Sequence, residues 1–145
     1  MTDPKRIFVD TSAWIEYLLV KEIHHKKVSD YVIKEVRAGS KFFTSDYVLD
    51  ETLTRLITNQ SIADAKNFKH YINEAEQQRN LLVLFTDEVV FNKAWEIFTK
   101  FSEHKLSFTD ATIVSYVRDI KIDEILTLDK GFRKVGLTTK PALRV

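Results

Sequence analysis

The chain has 145 residues, 44% hydrophobic and 30% charged, a composition that is typical of folded domains and excludes an intrinsically disordered chain. Because it contains no cysteine, disulfides, thiolate metal sites and cysteine nucleophiles are excluded. The formal charge of +1, from 22 basic and 21 acidic residues, indicates no particular class of partner. No apolar run has the length of a signal peptide or a membrane span, so we expect one cytoplasmic domain over residues 1–145, without membrane attachment.

In chain order, four short and nearly continuous apolar runs predict β-strands, at residues 7–9, 42–44, 81–85 and 124–128. Continuous rather than alternating apolar character is typical of strands covered on both faces of a parallel sheet. Between these runs, apolar residues at helical spacing predict core-facing helix stripes over residues 14–18, 28–36, 48–57, 62–75, 90–101 and 108–120. Strands that alternate with helices predict an α/β fold.

Four acidic residues lie at or near the carboxyl ends of the predicted strands. Asp10 ends the first strand, Glu51 lies in the second turn of the helix after the second strand, and Asp129 ends the last strand. Asp110 lies in the first turn of the helix that precedes the last strand. Each has a structural alternative: Asp10 can cap a helix and Asp110 can complete a capping box with Ser107, while Asp129 can belong to a turn and Glu51 can face solvent.

Taken together, the four carboxylates predict a metal site. Ligands of parallel sheets bind beyond the carboxyl ends of the strands, so we expect these side chains to converge. Two such charges about 5 Å apart repel by roughly 3 kcal/mol at an effective dielectric of about 20, unless a cation is present. Their hard oxygens favour Mg²⁺ or Mn²⁺, as one or two ions, whereas the histidines lie elsewhere in the sequence, which argues against zinc. Such ions typically act on phosphate esters, and the hydroxyls of Thr11, Ser12 and Thr127 are expected to orient the carboxylates or waters.

Four segments together resemble the PIN-domain ribonucleases, and most closely the VapC-type toxins of toxin–antitoxin pairs. They are FVDTSAWI with Asp10, DETL with Glu51, LSFTDATI with Asp110, and ILTLDKGF with Asp129. The resemblance covers essentially the whole chain, in the family's order. It implies a three-layer α/β/α sandwich with a mostly parallel central sheet, and Mg²⁺- or Mn²⁺-dependent endonucleolytic cleavage of single-stranded RNA. In this resemblance the four acids match the catalytic and metal-binding positions.

The resemblance also implies further site features and partners. Thr11 and Thr127 match hydroxyls that accompany the family's acids. VapC-type proteins commonly form homodimers and are inhibited by a small antitoxin protein that lays a segment into the active-site groove. We therefore expect a homodimer and a cognate antitoxin, in addition to the RNA substrate.

Basic residues near the acids predict where RNA is held. Arg55 follows Glu51 by one helical turn, and Lys130, Arg133 and Lys134 follow Asp129 closely, so they can form a basic rim that binds phosphates. Ordinary solvated charge explains each of them equally well.

Two aromatic residues are candidates for stacking on RNA bases. They are Tyr47 and Trp14. Trp14 belongs to an apolar helix face, however, and core packing explains it better.

Other classes of protein fit the acidic pattern less well. A phosphatase of the haloacid-dehalogenase type needs a second aspartate two residues after the first, where this chain has Ser12. A response-regulator receiver domain has an acidic pair and a mid-chain aspartate at a strand end, and no mid-chain strand here ends in that way. Three scattered glycines exclude a Gly-rich nucleotide-binding loop. The alternative that stays open is a PIN-like scaffold that binds RNA or protein without cleavage, although four mutually repelling acids argue against it.

Overall fold

A computed structural model describes residues 3–142 of the chain. Its strands, in chain order, are β1 (Arg6–Val9), β2 (Lys41–Ser45), β3 (Leu81–Leu84), β4 (Glu124–Leu126) and β5 (Thr139–Lys140). All paired strands are parallel, and the order across the sheet is β3-β2-β1-β4-β5. Strand β1, in which Ile7, Phe8 and Val9 are buried, therefore lies at the centre of the sheet, and the carboxyl ends of all strands lie along one edge.

The connecting helices are α1 (Thr11–Leu18), α2 (His25–Arg37), α3 (Asp46–Asn59), α4 (Ile62–Gln77), α5 (Glu88–Lys100) and α6 (Phe108–Asp119), with short 3₁₀-helices at Ser102–His104 and Lys130–Val135. Ser45, Ser61 and Ser107 begin α3, α4 and α6, because each hydroxyl accepts a hydrogen bond from the backbone N–H three residues later. Shortly after α2, Gly39 adopts a φ of 81°, which favours glycine and stops the helix.

The helices cover both faces of the sheet. On one face, the Trp14 indole of α1 donates a hydrogen bond to Thr44 of β2 (3.2 Å) and packs edge-to-face on Phe68 of α4. On the other face, Tyr116 of α6 stacks on Phe8 of β1, with ring centroids 6.2 Å apart. Helices α2 and α3 pack beside α1, and α5 packs beside α6. This arrangement confirms the predicted α/β/α sandwich, with an entirely parallel sheet.

The structure corrects the predicted pattern of burial. Leu82 is 53% exposed, because β3 is an edge strand and is not covered on both faces. In α2, Val36 is exposed whereas Glu35 is fully buried, so a charged side chain occupies the inward position that the sequence pattern gave to valine. Phe91 and Trp95 of the predicted aromatic stripe are also exposed. Strand β5 was not predicted, since two residues are too short to form a recognisable apolar run.

Among residues 3–142, no helix combines the length and the apolar character needed to cross a membrane.

Candidate active site

Asp10 is a buried carboxylate at the centre of the carboxyl edge. It follows β1 and is the N-cap of α1, with 6% of its surface exposed. One carboxylate oxygen accepts the Thr11 backbone N–H (2.7 Å) and the other accepts the Thr127 hydroxyl (2.8 Å). Asp10 therefore caps α1, as the structural alternative expects. Neither hydrogen bond neutralises its charge, so its position is also compatible with the predicted metal site.

Two predicted hydroxyls hold this carboxylate in place. Thr127 Oγ1 lies 3.1 Å from Ser12 Oγ, and it accepts the backbone N–H of Asp129 (3.0 Å). Ser12 Oγ in turn accepts the Leu128 N–H (2.9 Å). These contacts end β4 at Leu126, two residues earlier than predicted, because the backbone amides of residues 128 and 129 point to side chains rather than continuing the sheet. The start of α1 is thus tied to the end of β4.

Asp110 occupies the first turn of α6. It forms a complete capping box with Ser107: the Asp110 N–H donates to the Ser107 hydroxyl (3.0 Å), and the Ser107 N–H donates to the Asp110 carboxylate (3.2 Å). The predicted capping box of Asp110 with Ser107 is therefore present. Its carboxylate also interacts electrostatically with the other three acids of the site.

Glu51 and Asp129 border the same site with greater exposure. Glu51 lies on α3 and forms an ion pair with Arg55, 3.2 Å from Oε1 to Nη2. Asp129 follows β4 and begins the 3₁₀-helix Lys130–Val135 by accepting the Gly131 N–H (2.8 Å). A Cβ on Gly131 would lie 3.1 Å from the Asp129 carboxylate, so glycine gives this carboxylate the space for its turn.

Burial and neighbouring acids raise the pKa values of Asp10 and Asp110. Burial raises the pKa of Asp10 to about 7; the Thr127 and Thr11 hydrogen bonds oppose this effect, and the charges of Asp110 and Glu51 add to it. Burial is also the main cause of the raised pKa of Asp110, to which the charges of Asp129 and Glu51 contribute. The four predicted acids therefore lie within one electrostatic field at the sheet edge.

The donor set fits a hard divalent cation that retains water. Within residues 3–142, no group of three or more acidic or histidine side chains is arranged as a preformed metal cage. The side chains at the edge offer only oxygen atoms, and the buried Thr11 hydroxyl has no hydrogen-bond partner in the protein. Mg²⁺ and Mn²⁺ accept such oxygen ligands, and Mg²⁺ is commonly held by one or two carboxylates and several waters. Asp10, Asp110, Glu51 and Asp129 are the residues that would hold the ion.

The predicted RNA-binding residues have different surroundings. Lys130 is exposed beside Asp129, whereas Arg133 donates from Nε to the Thr139 hydroxyl of β5 (2.9 Å). Trp14 is buried, as its apolar helix face predicts. Tyr47 is partly exposed and contacts Phe108, with ring centroids 6.3 Å apart.

One polar cluster beside the acids was missed by the sequence analysis. Asp46, Thr86 and Tyr116 are joined by hydrogen bonds next to the carboxyl ends of β2 and β3. Asp46 directly follows β2 and Thr86 comes two residues after β3, so their positions after strand ends were a usable signal. Tyr116 gave no such signal, since it lies within the apolar pattern of α6.

Comparisons with known proteins agree with this geometry. A family model for the PIN domain matches residues 7–137. VapC20 of Mycobacterium tuberculosis, a toxin that cleaves the sarcin–ricin loop, superposes with a TM-score of 0.79 at 25% identity, over 91% of this chain and 96% of that chain. No curated protein sequence matches this chain.

Two more distant structures share the fold. VapBC2 of Rickettsia felis, bound to a DNA fragment from its promoter, has a TM-score of 0.70 at 12% identity, over 93% of this chain and 97% of that chain. FitAcB of Neisseria gonorrhoeae has a TM-score of 0.65 at 12% identity, over 93% and 96%.

Proposed function

This chain belongs to the PIN-domain family, and on that premise we propose that it is a Mg²⁺- or Mn²⁺-dependent endoribonuclease that cleaves single-stranded RNA as the toxin of a toxin–antitoxin pair. The observation that carries the proposal is the buried Asp10 carboxylate, held by Thr127 and Thr11 in the field of Asp110 and Glu51. The sandwich fold and the similarity to VapC20 support the same assignment.

The chain's own residues prepare the site for a phosphodiester. The Thr127 hydroxyl and the Thr11 backbone N–H each donate to one oxygen of Asp10, which fixes the orientation of that carboxylate at the sheet edge. Asp110 is fixed by its capping box and Asp129 by Gly131. When bound, a divalent ion supplies charge to polarise the phosphoryl oxygen and to activate a water. Exposed Lys130 lies beside Asp129, where its charge can hold a flanking phosphate.

The cleavage assay compares wild type with Asp10→Asn, after removal of any bound partner by denaturation and refolding. The substrates are a labelled pool of single-stranded and hairpin RNAs, including a sarcin–ricin-loop hairpin, because VapC20 cleaves that loop. We expect cleavage with Mg²⁺ or Mn²⁺, none with EDTA, and none by Asp10→Asn at either ion.

Asp87→Asn is the matched control. Asp87 is also an N-cap that follows a strand, but it is exposed and its carboxylate accepts the Val90 N–H. It should cleave as wild type does. Equal cleavage by Asp10→Asn would contradict the metal-site assignment. Absence of both cleavage and metal binding in folded wild type would favour the scaffold function.

An antitoxin partner is supported by a cavity of about 730 Å³ on the α1–α2–α4 side of the sheet. This cavity is distinct from the active-site groove that the family resemblance implies, since none of the four acids lines it. Trp14, Tyr17, Phe42 and Tyr71 line it with aromatic surface, and Arg79 adds positive charge at its rim. An apolar peptide segment with an acidic end matches this lining. If such an antitoxin binds there, Tyr71→Asp should abolish complex formation with the co-expressed antitoxin and leave cleavage by the isolated protein unchanged.

A homodimer is supported by the exposed apolar side of α5. Phe91 and Trp95 are 45% and 55% exposed, one helical turn apart, and exposed Phe85 and Val89 precede them in the chain. Large exposed apolar groups on a folded protein are typical of interaction surfaces. Sedimentation equilibrium should therefore give a dimer for wild type and a monomer for Trp95→Glu; a monomeric wild type would contradict the dimer.

A further inference from the structure

We propose that Tyr116, Thr86 and Asp46 are positioning residues that set the separation of Glu51 and Asp110 across the edge of the sheet. This inference rests on the proposed function, because it assigns the network a role at that metal site. The three residues do not belong to the acidic set and do not contact its carboxylates through any hydrogen bond among residues 3–142.

The network has a defined direction of hydrogen bonding. The Thr86 backbone N–H donates to one oxygen of Asp46 (3.1 Å), and the Thr86 hydroxyl donates to the other (2.8 Å). A hydroxyl has one proton to give, so the Tyr116 hydroxyl, 2.9 Å away, donates to Thr86 Oγ1. Asp46 therefore anchors a chain of two hydroxyl groups, and hydrogen bonds to a charged acceptor are stronger than neutral ones.

The two acids concerned lie on opposite helical layers. Glu51 belongs to α3, which packs beside α1 on one face of the sheet, and Asp110 belongs to α6 on the other face. Asp46 lies five residues before Glu51, a rise of about 7.5 Å along α3, and Tyr116 lies six residues after Asp110, about 9 Å along α6. The network thus joins α3 and α6, the helices that carry the two acids, across the carboxyl ends of the strands.

Two contacts make this link rigid. The Tyr116 ring stacks on Phe8 of the central strand at an interplanar angle of 17°, so its hydroxyl is presented from a fixed ring. Tyr47, the neighbour of Asp46, contacts Phe108, which lies two residues before Asp110. The Asp46–Thr86–Tyr116 hydrogen bonds and the Tyr47–Phe108 contact therefore both join α3 to α6, the helices that carry Glu51 and Asp110.

Helix capping does not account for the Asp46 interactions. The N-cap of α3 is Ser45, whose hydroxyl already accepts the Val48 N–H. Asp46 accepts one local backbone bond, from Tyr47 (3.0 Å), but its bonds to Thr86 join it to a residue 40 positions away. Asp46 therefore forms a tertiary link between the start of α3 and the segment after β3.

The test removes one hydroxyl at each edge of the sheet. Tyr116→Phe deletes the hydroxyl that donates to Thr86 and keeps the ring on Phe8. Tyr31→Phe is the matched control, because Tyr31 donates an equivalent hydrogen bond (2.6 Å) to buried Glu124, which begins β4 at the amino edge. The readouts on the full chain are Mn²⁺ affinity by calorimetry, kcat and KM for an RNA that the wild type cleaves, and Tm.

For Tyr116→Phe we expect Mn²⁺ affinity and kcat to fall by about tenfold, the lower end of effects seen when groups that orient metal ligands are removed. KM should stay within about twofold of the wild-type value, since the network does not contact the substrate. Tyr31→Phe should lower Tm at least as much and leave Mn²⁺ affinity unchanged. Wild-type Mn²⁺ affinity and kcat in Tyr116→Phe would overturn the inference, as would an equal loss of Mn²⁺ affinity in Tyr31→Phe.

A second pair of variants tests the same link at Thr86. Thr86→Ser retains the hydroxyl and should keep wild-type Mn²⁺ affinity, whereas Thr86→Val keeps the shape and should weaken it as Tyr116→Phe does. If both variants behave alike, the hydroxyl is not the link and the inference is wrong. Wild-type protein that binds no Mn²⁺ and cleaves no RNA would instead overturn the proposed function, so the two failures are distinguishable.

Discussion

Two groups of carboxylates, each with buried members, lie at opposite edges of the same sheet, and their charges are compensated in different ways. At the amino edge, Glu35 of α2 and Glu124 of β4 face the ammonium of Lys5, at 3.6 Å and 2.9 Å. Tyr31 donates a hydrogen bond to Glu124, and Ser40 donates one to Glu35. The hydrogen bond and charge of Glu124 raise the pKa of Lys5, so this cation stays charged beside its partners.

At the carboxyl edge, hydroxyls and backbone amides take the place of the lysine. Asp10 has Thr127 and Thr11 as its hydrogen-bond donors, and its pKa is raised to about 7 by burial and neighbouring carboxylates. Asp110 has the donors of its capping box. A hydrogen-bonded carboxylate without a counterion remains a buried charge, which is unfavourable in a protein interior.

The difference shows what a functional site adds to a fold. At the amino edge the chain supplies its own cation, Lys5, which two acids share, although one oxygen of Glu35 has no hydrogen-bond partner within residues 3–142. At the carboxyl edge, no lysine or arginine of residues 3–142 forms an ion pair with Asp10 or Asp110, and under the proposed function a divalent cation takes that place. Removing the charge of Asp10 at the carboxyl edge should therefore stabilise the protein, whereas removing the charge of Lys5 at the amino edge should destabilise it.

Asp10→Asn should give the largest effect, and it should stabilise the protein. In metal-free buffer at pH 8 we expect its free energy of unfolding to exceed the wild-type value by at most about 4 kcal/mol. The pKa of Asp10 is raised from 3.8 to about 7 on folding, and each pKa unit corresponds to about 1.4 kcal/mol. Urea denaturation in EDTA measures this gain.

The gain at Asp10 should depend on pH in one direction. The carboxyl has a pKa of about 7 when folded and 3.8 ordinarily, so the folded state binds more protons between these values. Wild-type stability therefore falls as the pH rises from about 4 to about 7, and the advantage of Asp10→Asn grows over that interval and then stays constant. Asp87→Asn, at an exposed N-cap, should show no such growth. A pH-independent difference between wild type and Asp10→Asn would contradict this account.

Lys5→Met should give the opposite result at the amino edge. Removing the cation leaves two buried acids without a counterion, and such a change typically costs about 3–5 kcal/mol. Since the Lys5 side chain is 27% exposed, we expect the lower value, a loss of about 3 kcal/mol in urea denaturation at pH 7. The double variant Lys5→Met with Glu124→Gln should recover part of this loss, and no recovery would show that the loss comes from packing rather than charge.

Mg²⁺ should sharpen the contrast by completing the carboxyl edge. At ten times its dissociation constant it should stabilise the wild type by about 1.4 kcal/mol, because it binds the folded state alone. Lys5→Met should gain as much, since its carboxyl edge is intact, and Asp10→Asn should gain far less. Thermal melts over a Mg²⁺ titration measure all three. Equal stabilisation of Asp10→Asn would place the ion elsewhere.

The acids at the carboxyl edge could be located from the sequence, because each one belongs to a short local motif. RIFVDTS shows a strand that runs directly into a carboxylate, and LSFTDAT shows a helix start that contains one. Parallel strands share an edge, so local signals at strand ends combine into one site. The family resemblance then assigned roles to Asp10, Glu51, Asp110 and Asp129.

The interactions at the amino edge could not be predicted from the sequence, because its residues belong to no recognisable local motif. Tyr31 and Glu124 are 93 positions apart, and their contact depends on tertiary packing. Glu35 is fully buried at a position that no rule of apolar periodicity assigns to an acid. The Asp46–Thr86–Tyr116 network was missed for the same reason, since the spacing of hydroxyls along a chain does not predict which of them meet.

Arg55→Gln should give the smallest effect on stability. It tests the ion pair of Arg55 with Glu51, through which the carboxyl edge resembles the amino edge. Among the ion pairs of residues 3–142, the pair of Arg55 with Glu51 is the one that brings a protein cation to the acidic edge. Both side chains are partly exposed and one turn apart on α3, so their pair contributes less than about 0.5 kcal/mol to stability. Lys26→Gln, which breaks the exposed pair with Asp30 on α2, is the matched control.

The informative readout for Arg55→Gln is metal affinity rather than stability. If Arg55 occupies Glu51 in place of the ion, its removal frees that carboxylate, and Mn²⁺ should bind up to about twofold more tightly, which corresponds to the same 0.5 kcal/mol. If Arg55 also holds RNA phosphate, KM for RNA should rise while Lys26→Gln leaves it unchanged. Weaker Mn²⁺ binding by Arg55→Gln would instead mean that the arginine orients Glu51 toward the ion. The carboxyl edge would then depend on a protein cation, as the amino edge does.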